Sequence, residues 1–140
     1  MRSTTPQEFA NCYGVFIADL VIVAKVIPSA TTWLQTLLPD VSTIYKLNPA
    51  LFSVYKASIT SFPQEPKSKN NNKFSNDYGR ISRSDATVYD NKVTLAWTAI
   101  TIDLTSALTC AGVDPSEAAK ILASFAKFKP TINVRRLEGR

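Results

Sequence analysis

Apolar residues recur along the chain every three to four positions, in stretches separated by proline and by helix-capping side chains, the spacing of amphipathic helices. Thr5-Pro6-Gln7-Glu8 supplies a cap hydroxyl, proline at the first helical position and a glutamate three residues after the cap. This predicts a first helix running to Ile27. Its second half, Val15 to Ile27, is apolar nearly all round, which suits a segment buried on several sides or shared with a partner subunit. Pro28 ends it, and Ser29 or Thr31 can cap a short second helix carrying Trp33, Leu34, Leu37 and Leu38 up to Pro39. Asn48-Pro49 repeats the cap-plus-proline signal. With Leu51, Phe52, Tyr55 and Ile59 at helical spacing, it predicts a third major helix ending at Phe62-Pro63.

From Gln64 to Arg83 the stripe lapses into a Pro-, Lys-, Ser- and Asn-rich stretch that reads as a long exposed loop. Ser84 and Asp85 then cap the longest periodic stretch, with Tyr89, Val93, Trp97, Ile100, Leu104 and Leu108 on one stripe and Gly112 as a left-handed terminator. Threonine and β-branched residues are frequent between Val93 and Thr109, so a strand is the alternative there. Asp114-Pro115-Ser116-Glu117 is a second capping box and opens a helix with Ala118, Ile121, Leu122 and Phe125, stopped by Pro130. The expected fold is all-α. It divides into N-terminal helices over 1–62, a basic exposed loop over 63–84, a helical bundle part over 85–130 and a basic tail over 131–140.

The apolar run over residues 15–27 is interrupted by Asp19 and Lys25 and falls short of the roughly 20 apolar residues a bilayer crossing needs. Arg2 is accompanied by Glu8 and no A-x-A site follows the run, which argues against a signal peptide.

Composition narrows the chemistry. In 140 residues there is no histidine, so imidazole metal ligation, Ser/His and Cys/His dyads and a histidine switch are excluded. Cys12 and Cys110 lie far apart with no CxxC, which rules out a zinc ribbon; the expectation is two small buried hydrophobes in a reducing compartment. No GxxxxGK[ST], GxGxxG or GxSxG is present. Asp85, Asp90 and Asp103 do not share one helix face and read as surface carboxylates. Trp33 and Trp97 sit on apolar stripes and read as core or subunit contacts. No catalytic residue, metal site or cofactor is expected.

Charge is unevenly distributed. Residues 65–83 carry five basic side chains against two acidic ones, residues 84–119 one against five, and residues 120–140 six against one. Basic residues in a loop and a tail, interleaved with aromatics and without a base-reading motif, suit phosphate neutralisation that ignores sequence. The candidate nucleic-acid contacts are Arg2, Lys25, Lys46 and Lys56, the loop residues Lys67, Lys69, Lys73, Arg80 and Arg83, and, towards the tail, Lys127, Lys129, Arg135 and Arg136.

Thr5-Pro6, Phe9 and Tyr13-Gly14 resemble the TP…F…YG opening of the major coat proteins of rod-shaped and filamentous archaeal viruses, the rudiviruses and lipothrixviruses of the Adnaviria. Gly112-Val113-Asp114-Pro115 is similar to the G-x-[ND]-P turn in their C-terminal bundle. The resemblance implies an N-terminal helical arm plus a C-terminal antiparallel helix bundle, the arm wrapping linear double-stranded DNA held in A-form and the bundle packing on neighbouring subunits. It also implies a virion location after assembly in the host cytoplasm, and, in the enveloped branch, a paralogous coat protein as heterodimer partner beneath a lipid layer. The rod-shaped members carry several basic residues in the first helix. This chain has Gln7, Glu8, Asn11 and Cys12 there, which shifts the basic work to the residues named above.

The expected function is therefore a structural capsid protein that packages double-stranded DNA in a helical filament. The alternatives are a cellular helical protein that binds nucleic acid non-specifically, an RNA coat, and a protein-interaction module whose basic loop meets acidic partners.

Overall fold

The computed structural model describes residues 5–66 and 83–131. The elements are α1 (Pro6–Ala24), a 3-10 turn (Pro28–Thr32), α2 (Trp33–Leu37), α3 (Pro39–Leu47), a second 3-10 turn (Pro49–Leu51), α4 (Arg83–Cys110) and α5 (Pro115–Ala126). No strand occurs among the described residues, and the stretch from Val93 to Thr109 is helical throughout. Thr98 and Thr105 return their hydroxyls to the carbonyls of Thr94 and Thr101, each at 2.8 Å, so these β-branched residues satisfy themselves on the helix surface.

Of the expected caps, Thr5 and Asp114 act through their side chains, whereas Asn48 makes no side-chain cap bond, and the residues that precede the first 3-10 turn and α2 are Ile27 and Thr32, not Ser29 or Thr31. Thr5 Oγ1 accepts from the Glu8 N–H at 3.2 Å while Glu8 Oε1 accepts from the Thr5 N–H at 2.8 Å. Asp114 Oδ2 accepts from the Ser116 N–H at 3.1 Å, and Gly112 closes α4 with φ of 72°.

α1 ends at Ala24 and not at Ile27, and Ser84 and Asp85 lie inside α4 and do not precede it. Two further stretches depart from expectation. Pro39 does not merely stop α2. It occupies the first turn of a new helix, α3, where its missing N–H costs nothing, and Leu38 makes the break with φ −139° and ψ 73°. The third major helix expected over residues 48–62 is not formed: after the 3-10 turn the chain from Phe52 to Pro66 runs irregularly. Tertiary packing takes its apolar residues one at a time. Phe52 packs edge-on to Tyr45, Tyr55 lies over Gly14, and Phe62 meets Trp97 at 6.0 Å. The Ser58 N–H donates to Asp19 Oδ1 at 2.8 Å instead of to a helical carbonyl.

A single core joins both ends of the chain. Phe125, wholly buried, stacks on Trp97 at 4.6 Å and meets Phe16 edge-on at 5.4 Å; Trp33 lies against both Trp97 and Phe128. Trp97 thereby belongs to the core. So does most of the apolar run of α1: Phe16, Ile17, Leu20 and Val23 are buried within the subunit, and only Val21, 38% exposed, faces outward among the large side chains there. By length and apolar composition α1 and α4 would each suffice to cross a bilayer, but their most apolar faces are turned to this core.

Cys12 and Cys110 are not separate thiols. They form a disulfide with Cα atoms 5.4 Å apart, Cys110 being exposed and Cys12 half-buried, and with that the ground for inferring a reducing compartment is gone. Two turns further along, Asp19 of α1 meets Asp103 of α4. Seven residues forward on one helix correspond to seven backward on the other, so α1 and α4 run antiparallel with the N-terminus of α1 tied to the C-terminus of α4 by the disulfide.

Candidate nucleic-acid interface

Antiparallel packing sorts the helix ends into two groups. Glu8 in the first turn of α1, Asp40 in the first turn of α3, and Asp114 and Glu117 at the start of α5 come to one end of the molecule. They line two adjoining clefts that share Phe9. At the other end α1 terminates at Lys25, the 3-10 turn leads into Trp33, and α5 gives way to Lys127, Phe128 and Lys129, with Phe128 stacked on Trp33 at 4.6 Å.

Of the expected phosphate contacts, the structure brings Lys25, Lys127 and Lys129 to this second end. Lys25 and Lys127 are exposed and Lys129 half-buried, and none is paired with a carboxylate among the described residues. Lys56 lines a groove of about 460 Å³ with Val21, Ile22 and Tyr45; Lys25 lies four residues beyond Val21 and so on the same side of α1. Lys46 stands apart. It closes α3, with Nζ 3.4 Å from Gln35 Oε1. Arg83 opens α4 and is already engaged. Arg2, the loop residues Lys67, Lys69, Lys73 and Arg80, and the tail residues Arg135 and Arg136 lie outside the described residues.

The aspartates expected on the surface divide. Asp90 is exposed and Asp85 half-buried, while Asp103 is half-buried against Asp19, which has no exposed surface at all. Burial and the facing Asp103 carboxyl push the Asp19 carboxyl up to about 8, against the pull of the Ser58 and Ile59 N–H groups. The buried Oδ2 atoms of both aspartates lack a hydrogen-bond partner among the described residues. Such a pair is legible in sequence only as an acid inside an otherwise apolar run, the position of Asp19. The gathering of acids at one end has a signal too, since each is a first-turn or cap residue of its helix, but which ends meet is decided by packing. Among the described residues no three potential metal-ligating side chains come together.

No protein family, curated protein or solved structure matches this chain.

Proposed function

We propose that this protein is a structural coat protein that packages linear double-stranded DNA, in A-form and within a helical filament, through contacts that ignore sequence. The observation that carries the reading is the cationic end of the molecule, where Lys25, Lys127 and Lys129 meet no carboxylate among the described residues. Lysines left without an acidic partner on a compact body are what phosphate neutralisation requires, and they come without any base-reading element. The sequence places Arg135 and Arg136 a few residues beyond Lys129, which extends the same basic run. An N-terminal arm with a C-terminal antiparallel bundle, a neighbouring paralogous subunit and an enveloping lipid layer belong to this reading through the resemblance to archaeal virus coats.

The test is titration of random-sequence duplex DNA with the full chain at several salt concentrations. Binding should lose orders of magnitude between about 50 and 200 mM salt and be indifferent to sequence. Lys25→Ala/Lys56→Ala should lower the slope against log salt by about one unit per lost contact. Affinity that does not change with salt, or that follows base sequence, sinks the reading.

A further inference from the structure

The acidic end is more than a row of helix caps. Between α1, the α2–α3 break and the start of α5 lies an apolar cleft of about 420 Å³ whose floor includes Phe9, Leu37, Val113 and Ile121 and whose rim carries Asp40, Asp114 and Glu117. Capping accounts for Asp114, whose Oδ2 is taken by the Ser116 N–H and hydroxyl, and for Glu8, which holds the Thr5 N–H. It does not account for Asp40 and Glu117, exposed residues whose carboxylates accept no side-chain hydrogen bond among the described residues. An apolar floor beneath unspent anions calls for an apolar group flanked by cations.

The opposite end of the same subunit presents that combination. Phe128 and the partly exposed Trp33 stack face to face, bracketed by Lys127 and Lys129, with Lys25 at the neighbouring helix end. The twelve residues of α5 hold the two ends about 18 Å apart, too far for the cations to serve their own cleft as the helix stands.

We infer that the acidic apolar cleft receives the Lys127–Phe128–Lys129 end of a second copy of this chain. The contact is heterologous: each subunit offers one cleft and one basic end on different surfaces, so association continues beyond the pair, as an open chain or as a ring of three or more subunits. Each ion pair contributes little at an exposed rim, and the joint burial of apolar floor and aromatic stack supplies the rest. The purpose of the contact rests on the coat-protein reading, with phosphate in the assembled chain left to Lys25 and Lys56 once Lys127 and Lys129 are taken by the neighbour, but its existence does not, because it needs no nucleic acid.

The experiment is sedimentation of the full, oxidised chain without nucleic acid across a concentration series at low and at high salt. Three proteins are compared: the wild type, Asp40→Lys/Glu117→Lys and Lys127→Glu/Lys129→Glu. The wild type should form species larger than dimers, weakening with salt, and each reversed variant should associate at least about tenfold more weakly. Mixed in equal amounts, the two variants should associate again, since the reversed cleft of one meets the reversed end of the other. Should Asp40→Lys/Glu117→Lys fail to fold by circular dichroism, Asp40→Asn/Glu117→Gln keeps the test of loss, with a smaller fall expected and the recovery on mixing not applied to it. A wild type that stays monomeric or stops at a dimer overturns the inference, as do variants that associate normally or a mixture that does not recover. Duplex DNA binding that persists in those cases leaves the coat reading standing, while association without any DNA binding would remove the coat reading and keep the contact.

Discussion

The ring of Tyr55 lies over Gly14, where a β-carbon would fall inside the ring, and its hydroxyl donates to Asn11 Oδ1 at 2.5 Å. Gly14 is fully covered in the middle of α1, a position at which glycine is otherwise unfavourable by roughly 0.5–1 kcal/mol relative to alanine. Its presence is explained by the crossing chain, which it admits to within touching distance of the helix backbone.

Gly14→Ala should therefore destabilise the protein despite improving helix propensity, by about 1–3 kcal/mol as overpacking does. Urea unfolding measures it. A stabilised Gly14→Ala protein would mean that Tyr55 can move away at no cost. Tyr55→Ala/Gly14→Ala should recover part of the loss, because the clash disappears with the ring.

Reduction of Cys12–Cys110 frees a loop of 98 positions, and loss of so long a constraint should lower stability by about 2–5 kcal/mol. Cys12→Ser/Cys110→Ser should show the same fall in urea midpoint as the reduced wild type. Insensitivity of the midpoint to reductant would show that the two thiols are unlinked in solution.

Asp19 makes stability depend on pH in a particular direction. Its folded-state value, about 8, lies above its ordinary value of 3.8, so between these limits the folded protein holds a proton that the unfolded chain has released. This contribution is fully present below about 4, declines as pH rises, and is gone above about 8, with a slope of at most about 1.4 kcal/mol per pH unit. Asp19→Asn keeps an acceptor for the Ser58 N–H and removes the charge. Thermal stability from pH 5 to 9 should fall steeply for the wild type and more gently for Asp19→Asn; parallel curves would take the pair out of the account.

Ile17, 2% exposed, and Val21, 38% exposed, separate core from surface within one apolar run. Ile17→Ser should cost about 2–5 kcal/mol through a cavity and an unsatisfied hydroxyl, and Val21→Ser little. Equal losses at both positions would mean that a partner covers Val21 in solution.

Local chemistry determined three of the helix limits, the start of α1, the end of α4 and the start of α5. Thr5-Pro6 with Glu8, Gly112, and Asp114-Pro115 act through hydrogen bonds and backbone geometry within a few residues, and they read the same in the sequence as in the fold. The all-helical class and the core placement of Trp97 follow equally from spacing. What the sequence left open depends on residues distant along the chain. Leu51, Phe52, Tyr55 and Ile59 have helical spacing, yet Gly14 and Asp19 claim that segment for α1, because local propensity is worth less than the ring packing and the hydrogen bond that the crossing supplies. The Cys12–Cys110 bond, the Asp19–Asp103 pair and the separation of acidic from basic ends all arise from one fact, the antiparallel register of α1 and α4. Periodicity defines which face of a helix is apolar but carries no information about which helix lies opposite or in what direction. Only the packed structure decides that.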